Sequence, residues 1–355
     1  MVTSLLKLLS IFFFLISLFT PHALSYDSSE CAKPTKAGCT DKSGALTLKL
    51  IALFATLAFS VIGVSAPLFA SSIPAVQPGR SLFLIVKAFA SGIILGTAFM
   101  HVLPDSFYDL SSGCLNENPW HNFPFTGFVA MISALVTLML DSLTTSIYTQ
   151  KASAGVIPGG EATGGDQGKA EEGGVGHFHG HHHHGPSNPG KGASQLVRNR
   201  VIAMVLELGI VVHSVVIGLS LGSSNNKCSI KVLVAALSFH QFFEGMGLGG
   251  SILQAEYTLI KRIVMVFFFS VTTPSGIALG IALSKTYKEN SPAALITVGL
   301  LNASSAGLLI HMALVDLLAA DFMGPKLQGS IKLQIKCYIA AFLGAGGMSL
   351  MAKWA

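Results

Sequence analysis

Charge is scarce in this chain: only 11% of its 355 residues are Asp, Glu, Lys or Arg, against about 25% in an ordinary soluble domain. With 51% hydrophobic residues alongside, there is too little polar surface to clothe a soluble globule. The formal charge of +5 is small and spread over loops; it reads as membrane topology and points to no nucleic-acid partner. No GxxxxGK[ST] loop occurs, which argues against direct ATP drive, and no HExxH, which argues against a zinc hydrolase. Cysteine is sparse, with five in all.

What is present is long apolar sequence. Residues 1–25 read as a signal peptide, with Lys7 in a basic start, LLSIFFFLISLF as a short apolar core and Ala23-Leu24-Ser25 as a small-residue cleavage site. An uncleaved first helix is the alternative. Residues 26–45 are then an extracellular segment, where Cys31 and Cys39 are candidates for a short-loop disulfide. Cys114 and Cys228 also fall in loops placed outside, so other pairings stay open; Cys337 reads as a buried small apolar residue.

Eight stretches long enough to cross hydrocarbon follow, each needing about 20 residues. They lie near Leu46 to Ala70, Leu82 to Val102, Thr126 to Tyr148, Val201 to Leu221, Ile230 to Ile252, Ile263 to Leu283, Ala293 to Val315 and Ile335 to Ala352. The expected fold is an all-α membrane protein of eight transmembrane helices, three within residues 46–149 and five within 200–355. Both termini are expected outside, on the signal peptide first and on a modest excess of Lys and Arg in the cytosolic loops second. Lys49, Lys87 and Lys336 are expected to snorkel from helix ends.

The connection from 150 to 199 is rich in Gly, Glu and Lys and is expected to be a disordered cytosolic loop. It contains HFHGHHHH, so that His177, His179, His181, His182, His183 and His184 can capture zinc-class ions weakly.

The chemistry concentrates in the fourth and fifth spans, where ionisable residues at bilayer depth are expensive and mark function. His240 and Glu244 are four apart, on one helix face and roughly 6 Å apart along the axis. The short loop SSNNKCS brings His213 of the preceding span alongside. One cation can be held by His213, His240 and Glu244, with Ser214 and Gln241 supplying neutral oxygens. Imidazole with carboxylate suits zinc, ferrous iron, manganese or cadmium better than calcium or magnesium. A bland alternative is that each polar side chain bonds a neighbouring helix. His101 and Asp105, expected at the external mouth, with Asp141, Glu207, His311 and Asp316 toward the inside, form a candidate inlet and exit route. The likeness of MHVLPD to HMALVD in oppositely oriented spans hints at an inverted repeat.

HSVVIGLSLG, HQFFEGMGLGG, MHVLPDSF and the histidine tract together resemble the ZIP (zinc- and iron-regulated transporter-like) family, nearest its plant iron-regulated and zinc transporter branch, over essentially the whole mature chain. The resemblance implies metal uptake across the plasma membrane into the cytosol through a site between spans four and five, with both termini extracellular. It also implies an inverted repeat of helices 1–3 and 6–8 around helices 4–5, homodimers and elevator-like motion. It assigns the central positions to His213, Gln241 and Glu244, with Ser214 and His240 beside them. Where several members have HNxPEG, this chain has Val216 for the proline and Ile217 for the carboxylate, so a single metal position is expected. The metal, Zn2+ or Fe2+, is bound transiently as cargo, with no prosthetic group; lipid and divalent ions are the expected partners. The competing readings are an intramembrane metalloenzyme and a metal-sensing receptor.

Overall fold

The computed structural model describes residues 42–70, 77, 80–153, 189–284 and 291–353. Cys31, Cys39, the expected signal peptide and His177, His179, His181, His182, His183 and His184 lie outside the described residues. Eight long helices occur among those described, named here α1 (Lys42–Ala70), α2 (Ser81–Leu110), α3 (Phe125–Ser153), α4 (Pro189–Ser223), α5 (Lys227–Gln254), α6 (Leu259–Leu283), α7 (Pro292–Phe322) and α8 (Ile331–Ala352). Helix is the conformation these runs must take in lipid, because it satisfies every backbone group within the segment.

Local chemistry sets several of the ends. Asn226 caps α5, its side chain accepting from the backbone N–H of Cys228 at 3.1 Å and of Ser229 at 3.3 Å. Ser291 and Ser330 do the same for α7 and α8, accepting from Ala294 N–H at 3.3 Å and Leu333 N–H at 3.4 Å. Cys114 and Cys228, at the same end of the bundle, are both disulfide-bonded, and Cys337 is a free, buried thiol.

Seven of the eight helices are long and apolar enough to cross a membrane. The exception is α5, whose apolar content is diluted by His240, Gln241, Glu244 and a run of glycines, yet most of its length from Ala236 to Ile252 is buried. α2 and α4 are also largely buried, whereas α1, α3 and α8 turn most of their apolar surface outward, as lipid-facing helices do.

Packing divides the helices into two groups. In the first, α1 lies against α5 and α4 against α6, and α1 also touches α6. A Cβ at Gly63 or Gly249 would collide with the backbone of Phe242 or Val64, and one at Gly222 with that of Ile277, so these pairs approach backbone to backbone. In the second, α2 lies against α8 and α3 against α7, with Gly92 and Gly344 closing the one contact and Gly307 the other. Ser133 Oγ donates to Ser304 O at 2.7 Å, and Ser106 Oγ to Gly299 O at 2.7 Å, tying α3 and α2 to α7. A shared core that includes Val64, Ile94, Leu206, Leu248, Phe269 and Met312 joins the two groups.

α2 and α7 each contain a π-helical stretch, Ala98–Val102 and Met312–Ala319. Their ends show the widened ladder directly, with Leu103 N–H bonded to Ala98 O and Ala320 N–H to Val315 O. In α2 this lets the helix continue through Pro104, so α2 reaches Leu110, beyond Val102. α7 likewise continues past Val315 to Phe322.

Lys87 differs from the snorkelling expected of it. It is 5% exposed and ion-paired to Asp321; a local acceptor makes burial cheaper than reaching for the interface. Lys49 is buried as well, at 3%, while Lys336 is exposed.

Candidate metal centre

α4 and α5 present His213, His240 and Glu244 to one another, all three buried. Each can offer a ligand atom within 4.8 Å of the other two, and the His213 and His240 rings are 5.8 Å apart. The side-chain nitrogens and oxygens of His213, Ser214, His240, Gln241 and Glu244 are buried without hydrogen-bond partners. Buried polar atoms are almost always paired, and leaving so many unmade costs far more than a packed apolar core would. This is the arrangement expected of groups held for a cation, and it disfavours the view that each residue merely bonds a neighbouring helix.

His101, expected at the mouth, lies deeper. It is 7% exposed, its ring stands 6.3 Å from that of His240, and its Nε2 is buried without a partner. Its Nδ1 faces Asp105 Oδ2 at 3.9 Å, and Asp105 is 57% exposed. A line of donors therefore runs from an exposed carboxylate through a half-way imidazole to the buried three.

A second group forms between α3 and α7: Asp141, His311 and Asp316 offer atoms within 4.8 Å of one another, with His311 Nε2 4.0 Å from Asp316 Oδ1. His311 and Asp316 are five apart, which on an α-helix puts them about 140° around the axis. The π stretch that starts at Met312 bonds residue i to i+5 and brings them onto one side. The five-residue spacing of HMALVD was the available signal. Glu207, also buried at 3%, belongs to neither group. Ser270 and Thr273 of α6 and Ser305 of α7 also have buried, unpartnered hydroxyls, and no motif singles them out.

Ile217 packs with Ala52, Leu221, Leu237 and Ile277.

The family model for ZIP zinc transporters matches residues 46–352. The chain belongs to the ZIP family. Among similar ZIP proteins, "Probable zinc transporter 10" of Arabidopsis thaliana is 62% identical, over 94% of this chain and 94% of that protein. "Fe(2+) transport protein 1" of the same plant is 59% identical over 96% of each. "Zinc transporter 5" of Oryza sativa subsp. japonica is 45% identical over 98% of each. A ZIP protein is a multi-pass membrane transporter and not an enzyme, which removes the intramembrane metalloenzyme.

Proposed function

We propose that the chain carries divalent transition metal ions, zinc and ferrous iron foremost, with manganese and cadmium as further cargo, across the plasma membrane into the cytosol. The ion is held between α4 and α5 by His213, His240 and Glu244, with Gln241 and Ser214 as neutral oxygen donors. The observation that carries this reading is the convergence of three buried ligand residues whose side-chain polar atoms, apart from a contact of His240 with the Ala236 backbone, lack hydrogen-bond partners. Relatives named for zinc and for Fe(2+) support the substrate class.

All eight helices cross the bilayer in this reading, α5 included, since protein on every side shelters its polar face. α1–α3 and α6–α8 form an inverted repeat about α4 and α5. Three correspondences support it: α1 against α5 mirrors α6 against α4, α2 against α8 mirrors α7 against α3, and π stretches fall in α2 and α7. Asp105 and His101 lead inward from outside; Asp141, His311 and Asp316 lead to the cytosol. The inside-negative potential contributes about 4.6 kcal/mol for a doubly charged ion at 100 mV. Both termini lie outside, and the chain works as a homodimer.

Uptake of radioactive zinc and ferrous iron by metal-starved cells, with and without the chain at the surface, tests the function. Accumulation that depends on the chain supports it; metal influx indistinguishable from empty cells refutes it.

A further inference from the structure

One buried cation has no part in the route above. Lys87 of α2 lies with its Nζ 3.0 Å from Asp321 Oδ2, near the end of α7, and it also donates to Gln254 Oε1 at 2.9 Å. α2 and α7 belong to the second helix group, whereas Gln254 is the last residue of α5, in the first. The ammonium is thus shared between the groups. Asp321 supplies, at contact distance, the counter-charge that a buried lysine needs. The amide of Gln254 takes one of the remaining ammonium donors.

The end of α5 is itself firmly held within its own group. Asn199 Nδ2 donates to Gln254 O at 3.1 Å and Arg200 Nε to Ala255 O at 3.1 Å, fixing α5 to α4. Gln254 follows Glu244 by ten residues, about 15 Å along the same helix. A bond to the Gln254 side chain therefore acts on the α4 and α5 pair that presents His213, His240 and Glu244. Lys87 also lies within electrostatic reach of Asp316, next to the inner carboxylates.

We propose that Lys87 is a positioning residue for transport: anchored on Asp321, it grips Gln254 and sets the register of the metal-bearing α4 and α5 against α2 and α7. This rests on the reading of the α4 and α5 residues as the cargo site. Any displacement of that pair along α2 breaks the Lys87–Gln254 bond while the Lys87–Asp321 pair travels intact with α2 and α7. The grip selects the arrangement seen here and is released when the pair moves.

The test substitutes the acceptor and leaves the buried ion pair in place. Gln254→Glu adds a second carboxylate to the ammonium and tightens the grip; Gln254→Leu abolishes it. Initial rates of radioactive zinc uptake are measured against zinc concentration in the full chain, at matched surface amounts, with His213→Ala alongside. The maximal rate is expected to fall by at least about threefold in Gln254→Glu and to rise by at least about threefold in Gln254→Leu, since a hydrogen bond to a charged group shifts a two-state balance by that much or more. Any pattern other than this opposed displacement, including a joint fall of the kind structural damage gives, overturns the assignment. Failure of the cargo-site reading shows separately, as uptake that persists in His213→Ala.

Discussion

Glu244 brings the carboxylate of the central three-residue group, and two imidazoles bring the rest. In the proposed site one fixed negative charge holds a divalent ion less strongly than two would, and a carrier must let go of what it binds. Protons compete for the same donors, because metal binding requires them deprotonated. As external pH falls from 7.5 to 5.5, the apparent KM for zinc is therefore expected to rise severalfold, measured as initial uptake rates at clamped free zinc; an unchanged KM would count against imidazole and carboxylate ligation. His101 touches the centre from another helix and faces exposed Asp105. His101→Ala should raise KM by about three- to tenfold and leave the maximal rate within about twofold, the signature of a group that helps capture more than it helps the later steps.

At the scale of the helix, two features decide whether the centre can form. The first is close approach. Gly63→Val puts side-chain atoms where Phe242 backbone lies, and overpacking of this kind costs about 1–3 kcal/mol. The variant is expected to lose thermal stability in detergent by fluorescence-detected size exclusion, while a valine at Gly346, where nothing stands within 4 Å, does not. The second is helix register. His240 and Glu244 could be paired from sequence because four residues is close to one α-helical turn, and His213 joined them because a short loop forces α4 beside α5. His311 and Asp316 were legible as a polar pair in HMALVD, but their meeting on one side was not, since their spacing suits an i→i+5 turn that hydropathy does not encode. His101 was legible as a ligand type, but its 6.3 Å approach to His240 depends on how α2 packs across α5, and pattern along one chain carries no distances between helices. Lys87 misled for a related reason: snorkelling is the default for a lone lysine, and Asp321 is 234 residues away.

At the scale of the whole molecule, two helix groups share one core, with His213, His240 and Glu244 on the first and His101, Asp141, His311 and Asp316 on the second. In the function proposed above, transport moves one set of donors past the other, and the membrane potential favours the inward direction. The histidines from His177 to His184 stand outside this arrangement in sequence. Deleting residues 177–184 is expected to leave zinc uptake within about threefold of the intact chain, because closely spaced imidazoles with no carboxylate among them offer weak, exchangeable capture; abolished uptake at normal surface levels would make the tract part of the pathway. The central claim is tested most directly by radioactive zinc and iron uptake in cells expressing the wild type, His213→Ala and Glu244→Ala at equal surface amounts. Removal of a direct ligand is expected to lower uptake by at least about tenfold in both variants, and undiminished uptake in both would contradict a metal path through α4 and α5.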